Sequence, residues 1–217
     1  MIQLSYKMVL EVDCMSRLKS NGVPKAETVS PIKSIADINK VKEYLFNKSN
    51  KRDYMLFVVG INVGLRASDL LSLKISDVVE DNVIKDEVVL DEKKTGKCRR
   101  FKLNASARDS IRVYLDGLKE YNSDDWLFQS RKGDEALRVD SVHRIIKSTL
   151  RELGIKGNYG SHTLRKTFAY HIYMNNRNNP RILAVLQRAL NHSSQAITLR
   201  YIGIENEEIM DLYNNCL

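Results

Sequence analysis

His162-Thr163-Leu164-Arg165-Lys166-Thr167-Phe168-Ala169 is the stretch on which the reading of this chain turns. Its apolar spacing predicts a helix, and His162 and Arg165, three positions apart at its start, project to one face. That end of a helix carries free N–H groups and the positive pole of the dipole, so anions are favoured there. Taken alone, the pair is equally a capping histidine beside a surface arginine. Downstream, Asn191-His192-Ser193-Ser194 reads as a turn between helices, and Tyr201 lies in the helix that follows. A lone turn histidine is more often structural, and one of ten tyrosines is most simply a core aromatic. Upstream, Gly64-Leu65-Arg66-Ala67-Ser68-Asp69-Leu70-Leu71 sets an arginine just past a helix-ending glycine in apolar surroundings. A half-buried guanidinium there needs an anion, either Asp69 or a phosphate.

The chain has 217 residues with 35 Lys+Arg against 27 Asp+Glu, a formal charge of +8. That length suits one domain or two small ones, and 43% hydrophobic residues are enough for a packed core. The longest apolar run, Met55 to Leu65, is too short to span a membrane, and the N-terminus does not read as a secretory signal. The expected setting is therefore cytoplasmic, with no membrane partner. Three scattered cysteines, Cys14, Cys98 and Cys216, exclude a disulfide framework and a four-cysteine zinc site. Charge is concentrated: residues 131–200 hold thirteen Lys/Arg against four acids, +9 in a chain whose total is +8. A second basic cluster comprises Lys93, Lys94, Lys97, Arg99, Arg100 and Lys102, whereas the tail is acidic. A basic working surface with an acidic tail points to nucleic acid as partner.

Residues 1–33 read as an N-terminal arm and linker. From Ser34, a good N-cap, Ile35, Ile38, Val41 and Leu45 fall at helical spacing. A second helix is predicted from Arg52 to Val63, stopped by Gly64, and a third runs on from Leu65–Asp69 through Leu73. Val83–Leu90 and Arg99–Leu103 read as strands joined by the turn Lys93-Lys94-Thr95-Gly96-Lys97, the one clear β element. Helices are then predicted around Ile111–Leu118 and Val139–Leu153, and over Leu164–Asn175, Arg181–Leu190, Ser194–Tyr201 and Glu207–Asn214. The fold class is mainly α with a small antiparallel β-sheet, an α+β arrangement.

In their order and spacing, the Arg66 segment, the turn Lys94, the His162–Ala169 segment, Asn191-His192 and Tyr201 resemble the catalytic domain of the tyrosine recombinases, the phage integrase family. The resemblance covers residues 34–217. It implies a site-specific recombinase or integrase of a mobile element, with the tyrosine recombinase catalytic-domain fold and without that family's usual N-terminal core-binding domain. It implies catalytic roles for Arg66, Lys94, His162, Arg165, His192 and Tyr201, with Asp69 supporting Arg66. Lys93, Lys97, Arg99, Arg100, Lys166 and Arg200 become expected DNA contacts. Double-stranded DNA is the implied partner, with a tetramer on paired sites, a monomer possible without DNA, a nucleoid location, and no cofactor or metal. The tail, with Ile209, Leu212 and Tyr213 on one face, is a candidate for exchange between subunits, or else packs on its own domain.

The implied chemistry explains each residue type. Two guanidinium forks can hold the non-bridging oxygens of a phosphodiester as they gain charge. A phenol with a pKa near 10 is about one part in a thousand ionised at neutral pH, a deficit of about 4 kcal/mol that the site must offset. The arginines favour the phenolate, His162 can take its proton, Lys94 can protonate the leaving 5′-oxygen, and His192 can donate to the phosphate. Two departures from the family pattern are Asn191, where glycine is usual, and Asp69, where glutamate is frequent. Two further readings remain: a DNA-binding remnant or regulator whose chemistry is dormant, and a type IB topoisomerase-like activity that relaxes DNA without strand exchange.

Overall fold

The computed structural model describes residues 29–91, 96, 98–203 and 213–214. Helix α1 is Ile35–Asn47, α2 Lys51–Val63, α3 Ala67–Leu70 and α4 Ile75–Val78. Strands β1 (Val79–Glu80), β2 (Val83–Ile84), β3 (Glu87–Asp91) and β4 (Cys98–Lys102) follow. Then come α5 (Ala105–Asp116), α6 (Val139–Glu152), α7 (Ser161–Asn175), α8 (Ile182–Ala189) and α9 (Gln195–Ile202). The helix starts are written in the sequence: Ser34, Asn50, Asn104 and Ser194 each accept a backbone N–H of the first turn.

Helix α2 is the centre. Met55, Leu56, Phe57, Val58 and Val59 are five consecutive residues with no exposed surface, which a helix shows only when it is covered on all sides. It packs on α1, α5 and α7, and its core continues into Ile111, Leu127, Phe128, Ile146 and Leu150. A Cβ at Gly60 would fall 2.7 Å from the Leu164 side chain, so α2 and α7 approach closely there. A smaller core joins Ala169 and Tyr170 of α7 to Ile182, Leu186, Leu190 and Ile202 of α8 and α9. Helix α7 thus belongs to both cores, with Leu164 in the first and Ala169 in the second.

Two antiparallel hairpins replace the single one expected. Val83–Ile84 pairs with Val79–Glu80, not with the downstream strand. Its turn residues Asp81 and Asn82 have φ of 49° and 62°, the left-handed pair of a two-residue hairpin that Asp and Asn tolerate. The expected strand Val83–Leu90 is therefore cut in two, and only β3 pairs with β4, from Glu87↔Lys102 to Asp91↔Cys98. The third helix is also shorter than expected, ending at Leu70. The tail segment Glu207–Asn214 lies outside the described residues except for Tyr213 and Asn214, which form a turn.

Residues 29–33, expected as part of the arm, run along α7. The Ile32 N–H donates to Thr167 Oγ1 at 2.9 Å, and Thr163 Oγ1 donates to the Ser30 carbonyl at 3.0 Å. A His171 ring nitrogen lies 2.9 Å from the Ile32 carbonyl. Thr163, Thr167 and His171 are four apart and so share one face of the helix. The rest of the arm, 1–28, lies outside the described residues. Among the described residues no helix is long and apolar enough to cross a membrane.

Candidate active site

The two cores meet where α2 ends, α7 begins and α8 turns into α9. Gly64 closes α2 at φ 61°, left-handed as expected, and a Cβ there would stand 2.2 Å from the Phe168 ring. The chain then passes into α3 with Arg66 as its N-cap residue. Arg66 Nη1 lies 3.7 Å from Asp69 Oδ2, with the arginine partly open and the aspartate fully buried. A buried carboxylate beside a partly open guanidinium holds the arginine in place, as a group that is to bind an anion requires.

Arg165 is almost wholly buried, at 3% exposure. Its Nη1 donates to the Gly64 carbonyl at 3.0 Å and its Nη2 to the Leu190 carbonyl at 2.6 Å. One guanidinium thus ties the end of α2 to the end of α8. Just beyond Leu190, Asn191 takes φ 51°, the left-handed conformation that its side chain tolerates in place of glycine. This turn delivers His192, whose N–H donates to the Gln187 carbonyl at 3.0 Å and whose Nδ1 is 3.1 Å from Thr198 Oγ1. Thr198 is in turn fully buried on α9.

Tyr201, near the end of α9, meets the His192 ring edge-on at 4.9 Å between centroids. Its hydroxyl is shut from solvent, and no hydrogen bond to it is well formed. Two Arg165 donors are directed at backbone carbonyls, so this guanidinium approaches the phenol loosely, favouring the phenolate by charge and as a donor. Burial nonetheless dominates and raises the Tyr201 pKa above its ordinary value, with Arg165 and Arg66 pulling it back. Both histidines titrate below their ordinary range. For His162, whose outer edge is open to solvent, partial desolvation leads and Arg165, Lys166 and Arg66 add to it. For His192, burial leads, followed by Arg165 and Arg66. A neutral imidazole is the form that can accept a proton.

Arg66, His162, Arg165, His192 and Tyr201 are therefore brought together, with Asp69 behind Arg66. Lys94 lies outside the described residues, between β3 and β4 in sequence, as do Lys93 and Lys97. Of the other expected DNA contacts, Arg200 and Arg100 are exposed, Arg100 within 3.2 Å of Glu87, and Arg99 is half-buried. Lys166 is a correction: it is 7% exposed, and its Nζ stands 5.1 Å from the centre of the Tyr201 ring. With its stem buried and its ammonium beside the Tyr201 ring, this lysine stands at the tyrosine and not on an open face of the helix. Sequence reasoning also passed over Thr198 and Gln187, which hold His192. The one available signal was their helical spacing from Tyr201 and His192.

A separate open groove of about 1050 Å³ runs along α6, lined by Arg131, Lys132, Arg138, Arg144, Lys147 and Arg151. None of the residues gathered around Tyr201 lines it. Glu135 is the one acid on its walls, so the groove is strongly cationic.

The sequence profile of the phage integrase family matches residues 31–208. A probable integrase/recombinase, YoeC of Bacillus subtilis, is 40% identical over 185 residues, 85% of this chain and 95% of that protein. A tyrosine recombinase of Pseudothermotoga lettingae is 28% identical over 182 residues, 84% of this chain but 59% of its own length. Among solved structures, a XerA recombinase superposes with a TM-score of 0.65 at 25% identity, covering 89% of this chain and 66% of that one. The XerH recombinase bound to its palindromic difH substrate after cleavage shares the fold, with a TM-score of 0.65 at 21% identity over 90% of this chain and 57% of that one.

Proposed function

Since this chain belongs to the phage integrase family, whose members are tyrosine recombinases, we propose that it breaks and rejoins duplex DNA through a transient bond to Tyr201. The observation that carries this reading is the meeting of a buried phenol with two arginines and two histidines of lowered pKa at the seam between the cores.

The Arg66 and Arg165 forks receive the non-bridging oxygens of the scissile phosphate and stabilise the charge that develops on them. Neutral His162 takes the phenolic proton as the Tyr201 oxygen bonds to phosphorus. The bond from phosphorus to the 5′-oxygen breaks, and Lys94 supplies the proton that the leaving oxygen needs. His192, oriented through Thr198, donates to a phosphate oxygen. The product is a 3′-phosphotyrosine, a phosphodiester like the one broken. A 5′-hydroxyl from a second strand therefore reverses the step without an external energy source.

The cationic groove along α6 and the exposed Arg100 and Arg200 supply the long-range attraction for DNA. Residues 34–217 act as the catalytic unit in this reading, and the Ser30–Ile32 strap packs against its helix α7. Assembly into a tetramer on two paired sites, within the nucleoid, follows from the exchange chemistry, which needs two duplexes side by side.

The test is a duplex taken from the DNA flanking the gene and nicked near the cleavage position. The native protein should give a covalent protein–DNA band, and Tyr201→Phe should give none. Adduct formation by Tyr201→Phe would remove Tyr201 as nucleophile. DNA binding with no adduct from the native chain on any such substrate would leave a binding module.

A further inference from the structure

Lys166 stands one residue beyond Arg165, yet the mechanism above does not use it. Its stem is buried, and among the described residues no ion pair or hydrogen bond receives its ammonium, which lies beside the Tyr201 ring. A buried cation is costly unless something compensates it. What it meets is the Tyr201 ring, 5.1 Å from Nζ to the centroid, a distance at which a cation is attracted to the π face.

The Tyr201 ring needs such a partner. Tyr201 is the next-to-last residue of α9, an eight-residue helix closed by Gly203 at φ 79°. Its hydroxyl is not held by a well-formed hydrogen bond, so the ring's orientation is set through its faces and edges. His192 crosses the ring at 70°, and Lys166 supplies a charge over it. We propose that Lys166 is a positioning residue for Tyr201, its ammonium and the His192 ring together holding the phenol in one orientation for attack. The negative charge of a phenolate spreads into the ring, so a cation over the face is attracted more strongly once the proton has left. The contact therefore gains strength in the direction of the reaction. Burial lowers the Lys166 pKa, as expected of an ammonium kept in place by a ring and not by a carboxylate. Among the described residues, the charged and titratable groups that act on Tyr201 are then Arg165, Arg66, His192 and Lys166.

This inference rests on Tyr201 being the nucleophile, and its test separates the two ideas. With the full chain and the nicked duplex in a single turnover at saturating protein, Lys166→Met should form adduct about ten- to thirtyfold more slowly. Its DNA affinity and salt slope should stay those of the native protein. Lys166→Arg, which keeps a cation over the ring, should retain most of the rate. A rate constant from a single turnover does not depend on what fraction of the variant is folded. The proposal is overturned if Lys166→Met binds DNA more weakly with a salt slope shallower by about 1 and cleaves at the native rate once saturated, the behaviour of a phosphate contact. It is equally overturned if Lys166→Arg is as slow as Lys166→Met. A second measurement does not need activity. In the NMR spectrum of the isotope-labelled chain, one lysine ε-methylene should be displaced upfield by an aromatic ring. That signal should vanish in Lys166→Met and return to the ordinary position in Tyr201→Leu. If no such signal exists, Lys166 does not hold the ring, whether or not the native chain makes the adduct.

Discussion

Arg165 performs two tasks with one guanidinium. It stands among the phosphate-binding candidates, and it bonds the carbonyls that end α2 and α8. Arg165→Lys keeps the charge but cannot make both bonds, and stranding buried carbonyls costs about 2–4 kcal/mol for the pair. Its thermal midpoint should fall by on the order of 10 °C, as read by circular dichroism, whereas Arg66→Lys, at a partly open side chain, should shift it far less while still impairing adduct formation. The histidines make a pH prediction. Because His162 and His192 titrate below the ordinary value of 6.5 in the folded chain, the unfolded chain binds more protons just below that pH. Stability is then complete above about 6.5 and is lost as pH falls toward the folded pKa values. Melts between pH 7.5 and 5 should show this decline, and the double variant His162→Gln/His192→Gln should flatten it. At this scale the order of Arg66, His162, Arg165, His192 and Tyr201 carried the resemblance, and the fold brings these five residues near one another. It was misleading for Lys166, because a lysine in mid-helix looks alike whether it faces DNA or a tyrosine ring.

Among the elements, the α2–α7 crossing does most to set the site. Gly64 both takes a left-handed conformation and leaves room for Phe168. Gly64→Ala combines backbone strain with a steric clash, about 2–5 kcal/mol together. It should lower the denaturant midpoint and displace the carbonyl to which Arg165 is tied. The matching relief, Gly64→Ala with Phe168→Leu, should recover part of that stability, which separates the clash from the strain. The helices were readable because their caps and apolar periods agree, as at Ser34 with Ile38, Val41 and Leu45. The hairpins were less so. Val83–Leu90 is interrupted by the charged Lys85-Asp86-Glu87, and its division depends on a turn at Asp81-Asn82 that pairs Val83–Ile84 with the residues before it.

For the molecule as a whole, charge is what DNA meets first. The α6 groove brings together cations that the sequence scatters over twenty-one positions, Arg131 to Arg151, and their helical spacing is why a linear count detected the excess without its shape. Binding of the full chain to duplex DNA should weaken steeply with salt, and Arg144→Gln should lower the slope of log K against log salt by about 1 without changing the single-turnover rate at saturation. The strap along α7 shows a further limit on sequence reading: Ser30 and Ile32 form bonds to residues more than 130 positions away, where no periodicity reaches. The Tyr201 hydroxyl has a different consequence. Arginine at 165 would be retained by selection for folding alone, so its presence says little about whether a lineage still uses the enzyme. A phenolic oxygen buried without a well-formed bond gives the fold nothing that phenylalanine would not, so drift in a disused copy would erase it at no structural penalty.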